Sequence, residues 1–466
     1  VYENCLELDD DLAPLLGGRD PVLLHGGGPK RLLRVHERHA ALAASGQHPD
    51  LPPIKPLLFR RLADARTMMS ACRDLLARGP KAPGLNGYRL EHLDNTELWS
   101  LCRATAKAIR QRTYKPGGDR KVPIPKEGKP GQFRELTIQN AEDRVVGRAV
   151  VRILQPLVDP GFSPFSFGFR PRRGTHSALA TALTLAQAQQ RWVWVSDDVA
   201  KAFDQIPFNR FLDACRMHFP PDVVEFISLI GHTGKGRGLR QGSPASPLFA
   251  NIFFDHHLDR PWHAGRPDQP LFRYADDLLL LCGTENDALS TYDSLAQRAT
   301  AIGTSLKGSR DSSIHDLSSG NWVDWLGYRI GLEAGRATVR VGERAWSRLG
   351  FQLAKAHLLP ASPIRATQII RGWLTYLGPC LAHEDRPAVL ARLRKTASVF
   401  AFDEIPDHRQ LGGIWSAAHA RWSRLSAAEA AKLPSRLQRL GRQVENRSSP
   451  GFPSELNLNT KEHCRE

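Results

Sequence analysis

Paired aspartates stand at the ends of two apolar runs in this chain. One pair is Asp276-Asp277 in LFRYADDLLLLC (271–282); the other ends at Asp198, just after the run WVWV (192–195). An isolated ionised carboxylate is costly to bury, and adjacent ones repel. Either such aspartates cap solvated turns, or they hold a cation. Each run reads as a strand that delivers an aspartate to its end or to a tight turn. Were the two strands neighbours, Asp198 and Asp276 would converge, and converging carboxylates need a cation between them. Hard oxygen ligands without His or Cys select Mg²⁺ or, as the alternative, Mn²⁺. Two such ions about 4 Å apart activate a 3′-hydroxyl and stabilise a leaving pyrophosphate, which is the chemistry of a nucleotidyl transferase.

The elements that must position these groups follow from periodicity. Apolar spacings of three and four predict helices over 58–78 and 97–114. RKVPIPKEGKPGQFRELTI (120–138) reads as a basic hairpin closed by a Gly-rich turn. Helix signals resume in AEDRVVGRAVVRILQPLV, and a basic loop, SPFSFGFRPRRGTHS (163–177), leads into another helix. Strand signals lie at 191–199, 271–282 and 321–330. Beyond about residue 340 the pattern is almost purely helical, and from about 435 it turns polar and Gly/Pro/Ser/Asn-rich, the pattern of a flexible tail.

Composition narrows the partners. The 466 residues carry 64 Lys+Arg against 48 Asp+Glu, a net charge of +16. With 41% hydrophobic residues the chain builds real cores, so the excess charge points first to nucleic acid. No apolar run approaches the roughly 18 residues of a spanning helix. The seven cysteines are scattered and form no C-x-x-C pair, so neither a zinc site nor a disulfide framework is indicated. A reduced, cytoplasmic protein without membrane contact is expected.

Several blocks, in order, resemble the reverse transcriptases of the group II intron type and their bacterial relatives. YADD (274–277) is similar to the polymerase signature, and DVAKAFD (198–204) to the first catalytic block. FSPFSFGFRPRRGTHSAL (162–179) resembles the family's GFRP segment most closely. KAPGLNGYRLEHL, RTYKP (112–116), VPIPKEGKPGQFREL (122–136), RQGSPASPLFANIFFDHHLD (240–259), DWLGYRI (324–330) and IIRGWLTYL (369–377) resemble further blocks. The resemblance implies an α+β right-hand polymerase: fingers, a palm with an antiparallel sheet backed by helices, and a helical thumb. It divides the chain into an N-terminal extension (1–57), fingers (58–190), palm with primer grip (191–335), maturase-like thumb (336–430) and flexible tail (431–466).

Residue by residue, the resemblance makes Asp198, Asp276 and Asp277 catalytic. Asp198, Asp276 and the Val199 carbonyl would hold the metal. Lys126, Arg134, Phe203 and Gln241 would bind the nucleotide, with the Phe203 ring under the sugar, where it disfavours a 2′-hydroxyl. Trp325, Leu326 and Gly327 would grip the primer, and Arg170, Arg172 and Arg173 the template backbone. The chain departs from the pattern at Asn86, where Asp is usual, and at Glu135, where Pro is usual. In LKGSRDSSI (306–314), Arg310 takes the place of a Lys that would help protonate pyrophosphate, and Lys307 is the substitute. The ending EHCRE lacks the Cys- and His-rich cluster of an endonuclease, so target-DNA cleavage is not expected. The implied enzyme is an RNA-directed DNA polymerase using two Mg²⁺ ions, an RNA template, a DNA primer and dNTPs. Its RNA is either a dedicated non-coding RNA, in a domesticated defence or repair system, or an intron whose splicing and mobility it aids. A third reading is an RNA-binding scaffold with a dispensable polymerase.

Overall fold

The computed structural model describes residues 55–79, 82–125, 133–380 and 386–445. The helix expected over 58–78 is two helices, α1 (Lys55–Leu62) and α2 (Ala65–Ala77). The break lies at Asp64, whose extended backbone and side chain cap α2 through the Arg66 amide. Helix α3 (Asn95–Arg110) starts at a capping box in which Asp94 and Glu97 bond each other's amides. The expected hairpin is present as β1 (Arg120–Pro125) paired antiparallel with β2 (Phe133–Ile138). Two prolines fit in β1 because the sheet has only two strands, so one edge is free. Then follow α4 (Ala141–Val158) and α5 (Thr175–Gln189).

The central sheet holds β3 (Val193–Asp198), β4 (Phe272–Tyr274), β5 (Asp277–Cys282) and β6 (Ile314–Asp316) in the order β4-β5-β3-β6, all antiparallel. Between β3 and β4 run α6 (Phe208–Arg216), α7 (Pro221–Gly231), α8 (Ser246–Phe254) and α9 (Arg260–Gly265); α10 (Glu285–Ala301) follows β5 and packs on the sheet. Both faces of the sheet are covered, which explains the unbroken LLLL of 278–281. Leu278 and Leu280 join Val193 and Val195 in one core, whereas Leu279 and Leu281 join Trp194 and Phe272 in the other. A second antiparallel sheet, β7 (Val323–Trp325), β8 (Tyr328–Glu333) and β9 (Arg336–Val341), leads into α11 (Glu343–Ala356), α12 (Ser362–Tyr376) and α13 (Arg386–Val399). This is the α+β right-hand polymerase architecture.

The final helix, α14, runs from His408 to Glu445, so residues 431–445 continue a helix where a flexible tail was expected. Pro434 does not end it, because Leu433 and Leu440 are buried and Glu429, also buried, pairs with Lys432 and Arg436. Helix α14 packs along α5 and α12 and reaches back to the segment before α5. There Arg436 donates to the Pro164 carbonyl (2.8 Å) and Arg439 to that of Phe162 (2.8 Å) and to that of Pro160, and Gln443 to that of Gly161 (3.2 Å). Among the described residues no helix is long and apolar enough to cross a membrane.

Candidate active site

Strand register brings the aspartates together. Asp198, the last residue of β3, lies directly across from Asp277, the first residue of β5. Tyr274 pairs with Asp277, which leaves Ala275 and Asp276 as the two residues of a tight turn. The Val199 amide donates to the Asp276 carbonyl at 2.9 Å, closing the gap between the two strand ends. Asp197 is used differently: its carboxylate accepts from the Gly308 amide (2.9 Å) and from Ser313 Oγ (2.8 Å), so it pins the 308–313 loop.

Burial makes this cluster electrostatically strained. Burial and the neighbouring Asp198 push the Asp277 carboxyl up to about 9, and burial raises that of Asp276 as well. Burial also opposes the ionisation of Asp198. The hydrogen bond from Asp277 and the Lys307 ammonium outweigh it and hold that carboxyl below its ordinary value. The Lys307 Nζ stands 2.6 Å from Asp198 Oδ2. Arg310, the other candidate for this role, instead pairs with Asp293 on α10 at 2.5 Å. Among the described residues no three His, Cys, Asp or Glu side chains form a ready-made ion cage. The donor set is nevertheless all hard oxygen, and an ammonium group already neutralises one member. Asp198, Asp276 and Asp277 therefore fit a divalent cation by charge and ligand type.

These pKa shifts carry a pH test. Asp277 is protonated in the folded chain up to about pH 9 but titrates near 3.8 when unfolded. Its contribution to stability is complete below the unfolded value and is lost as pH rises towards the folded one. The melting temperature of the metal-free protein should fall across that window, and Asp277→Asn should flatten the fall. Parallel profiles for the two proteins would refute the shift.

The turn carrying Asp276 is braced from Gly168 and Arg273, to which the sequence reading gave no role. Ala275 sits at φ +60°, left-handed for a non-glycine residue. Its amide faces Gly168, where an added Cβ would come within 2.3 Å, so the glycine of the GFRP segment is required for contact. Arg273, fully buried, donates to both oxygens of buried Asp259 (2.8 and 2.7 Å), to Asn251 Oδ1 (2.8 Å), to Ser166 Oγ (2.9 Å) and to the Ala275 carbonyl (3.2 Å). The signal available in the sequence was the charged Arg273 within an apolar strand.

Other expected site residues divide. Phe203 is half-buried, edge-on to Phe169 at 6.5 Å. Gln241 Nε2 donates to Asp204 Oδ1 at 2.6 Å. The adjoining Gly242, at φ +80°, meets the Thr137 carbonyl so closely that a Cβ would lie 2.0 Å from it, which sets β2 against Gln241. Arg134 lies on β2 opposite Ile124, and Lys126 lies outside the described residues. Trp325 needs correcting as a direct primer contact. Its ring is core, 2% exposed and edge-on to Phe272, and only Leu326 and Gly327 reach the surface of that turn. Arg170 is a second correction. It is 2% exposed, and its guanidinium is spent on Asp159, Ser163 and Ser166, so it braces the loop from inside. Arg173 is likewise turned inward, to the Pro164 and Ser166 carbonyls. Arg172 is exposed.

Residues 124–330 match the family described as reverse transcriptase (RNA-dependent DNA polymerase). Protein YkfC of Escherichia coli is 28% identical over 233 residues, covering 45% of this chain and 58% of its own. The group II intron-encoded protein LtrA of Lactococcus lactis is 29% identical over 165 residues, 33% of this chain and 27% of its own. A Candida albicans telomerase structure aligns over 74% of this chain and 65% of its own at 11% identity, with a TM-score of 0.41. This chain thus spans less than two thirds of the length of each. Reverse transcriptases use divalent metal ions. The matched segment begins in the hairpin, ends in β8 and encloses all three clustered aspartates, so the likeness to the reverse transcriptase family covers residues 124–330.

Proposed function

We propose that this chain is an RNA-directed DNA polymerase that extends a primer 3′ end with dNTPs on an RNA template. The observation that carries the reading is the register that sets Asp198 opposite Asp277, with Asp276 at the adjoining turn. Asp198, Asp276 and the Val199 carbonyl would hold two Mg²⁺ ions, with Asp277 in support. When bound there, the ions acidify the primer 3′-hydroxyl and offset charge on the leaving pyrophosphate. The chain's own residues supply the positioning. Lys307, exposed and paired with Asp198, would release that carboxylate to the ions and set its ammonium against the charge of the leaving pyrophosphate. Arg134, and Lys126 outside the described residues, would bind the triphosphate. Gln241 lines the nucleotide pocket, Leu326 and Gly327 hold the primer end, and exposed Arg172 meets the template backbone. Residues 58–190 act as fingers, 191–335 as palm, and 336 onward as thumb, which extends to 445.

The direct test is single-nucleotide addition by the purified chain to a DNA primer annealed to RNA, with Mg²⁺ and dNTPs. Template-dependent extension supports the reading, and none under Mg²⁺ or Mn²⁺ would overturn it. The sugar gate has its own test. Phe203→Ala should admit ribonucleotides, raising their incorporation relative to dNTPs by at least about tenfold, a change of roughly 1.4 kcal/mol. Unchanged selectivity would place the gate elsewhere. For the biological setting, the intron-encoded relatives favour an intron RNA over a defence or repair RNA as the bound template. Sequencing the nucleic acid that copurifies with the chain separates the two.

A further inference from the structure

The primer-grip turn is held by a side chain from the thumb. Trp325 pairs with Tyr328, so Leu326 and Gly327 form a two-residue hairpin turn, at φ +51° and +84°. Two left-handed residues in succession, one of them a leucine, are held only where the surroundings fix them. Here the fixing contact comes from α12. Tyr376, its last residue, donates its hydroxyl to the Leu326 carbonyl at 2.7 Å. The same hydroxyl oxygen would stand 3.3 Å from a Cβ at Gly327.

Tyr376 is itself held on two sides. Its ring stacks on Tyr328 with centroids 5.2 Å apart, and its carbonyl accepts from Tyr328 Oη at 2.7 Å. His176 Nε2, on α5, lies 2.8 Å from both that carbonyl and Tyr328 Oη. A line of contacts therefore runs from α5 through His176 and Tyr376 to the tip of the turn.

We infer that Tyr376 is a positioning residue for the primer terminus, setting the height of the Leu326–Gly327 turn through one hydrogen bond. The inference rests on the reading of that turn as the primer grip. Tyr376 does not touch substrate; it acts through the Leu326 carbonyl. Thumb and primer end are thereby coupled, since any displacement of the α12 terminus moves the turn with it.

The test uses the full chain in steady-state addition of one dNTP to an annealed primer, with three variants. Tyr376→Phe removes only the hydroxyl. It should lower kcat roughly fivefold, the worth of one neutral hydrogen bond, and leave the KM for dNTP unchanged. Gly327→Ala perturbs the turn directly and should lower kcat as well. Tyr328→Phe takes a hydroxyl that bonds the Tyr376 carbonyl but leaves the bond to the Leu326 carbonyl in place, and reports the general cost of loosening the cluster. A kcat loss in Tyr328→Phe equal to that in Tyr376→Phe would assign the effect to packing and overturn the inference. A loss in Gly327→Ala with none in Tyr376→Phe would overturn it while sparing the primer-grip reading. No loss in either would remove the primer-grip reading, and the inference with it. Thermal melts of all three variants check that each is folded.

Discussion

Asp276→Asn is expected to cut nucleotide addition on the order of 10³-fold or more, with binding to primer–template nearly intact. The substitution keeps the shape of the side chain at the two-residue turn and removes only its charge. A ligand that cannot carry charge forfeits several kcal/mol of transition-state stabilisation at a metal-assisted site, and each 1.4 kcal/mol is about tenfold in rate. Affinity for the duplex comes mainly from Lys and Arg on the phosphate backbone, which the variant leaves in place. Asp198→Asn should behave the same way. Asp197→Asn should differ, because that carboxylate holds Gly308 and Ser313, so its loss loosens the 308–313 loop. Single-turnover kinetics with a binding titration on the same preparation separate these outcomes. Robust synthesis by Asp276→Asn would remove this turn from the chemistry.

Arg273→Ala is expected to destabilise the fold by about 3–5 kcal/mol, the cost of leaving Asp259 charged and unpaired in the interior. Both partners are 0% exposed, so water cannot take over. Replacing the pair together, as Arg273→Leu with Asp259→Leu, should recover most of that stability, because the buried charge leaves with its partner. Activity should not recover in the double variant. The Ala275 carbonyl and Ser166 hydroxyl would still lack their donor, and the strained turn carrying Asp276 would lose its brace. Denaturant midpoints set beside extension rates for the single and double variants would expose the split. Full activity in the stabilised double variant would show that the brace serves stability alone.

The sequence was most legible where local pattern and chemistry coincide. Alternating or continuous apolar runs marked β3 and β5, Gly and Pro marked the hairpin, and the aspartates stood out because charge at an apolar strand end is rare. It was least legible where a side chain's partner lies far along the chain. Arg170 and Arg172, two residues apart, read alike as basic loop residues, yet one faces Asp159 inside the fold and the other faces solvent. Nothing within the loop distinguishes them. The polar stretch after 431 read as a tail because, Glu429 beside Arg436 apart, Arg436, Arg439 and Gln443 have no partners nearby in sequence. Their partners are carbonyls 272 to 282 residues upstream. Lys307 and Arg310 show the same ambiguity, resolved only by which carboxylate each one reaches.

That long reach of α14 also bears on how the protein is made. The carbonyls of Gly161, Phe162 and Pro164 wait for donors that leave the ribosome more than 270 residues later. At about 5–20 residues per second, the interval is roughly 15–55 s. Throughout it, the loop that backs the Ala275–Asp276 turn is translated but unfinished. The fold around that turn is therefore completed only once α14 has been made, and a chain cut short before α14 carries every motif without these contacts.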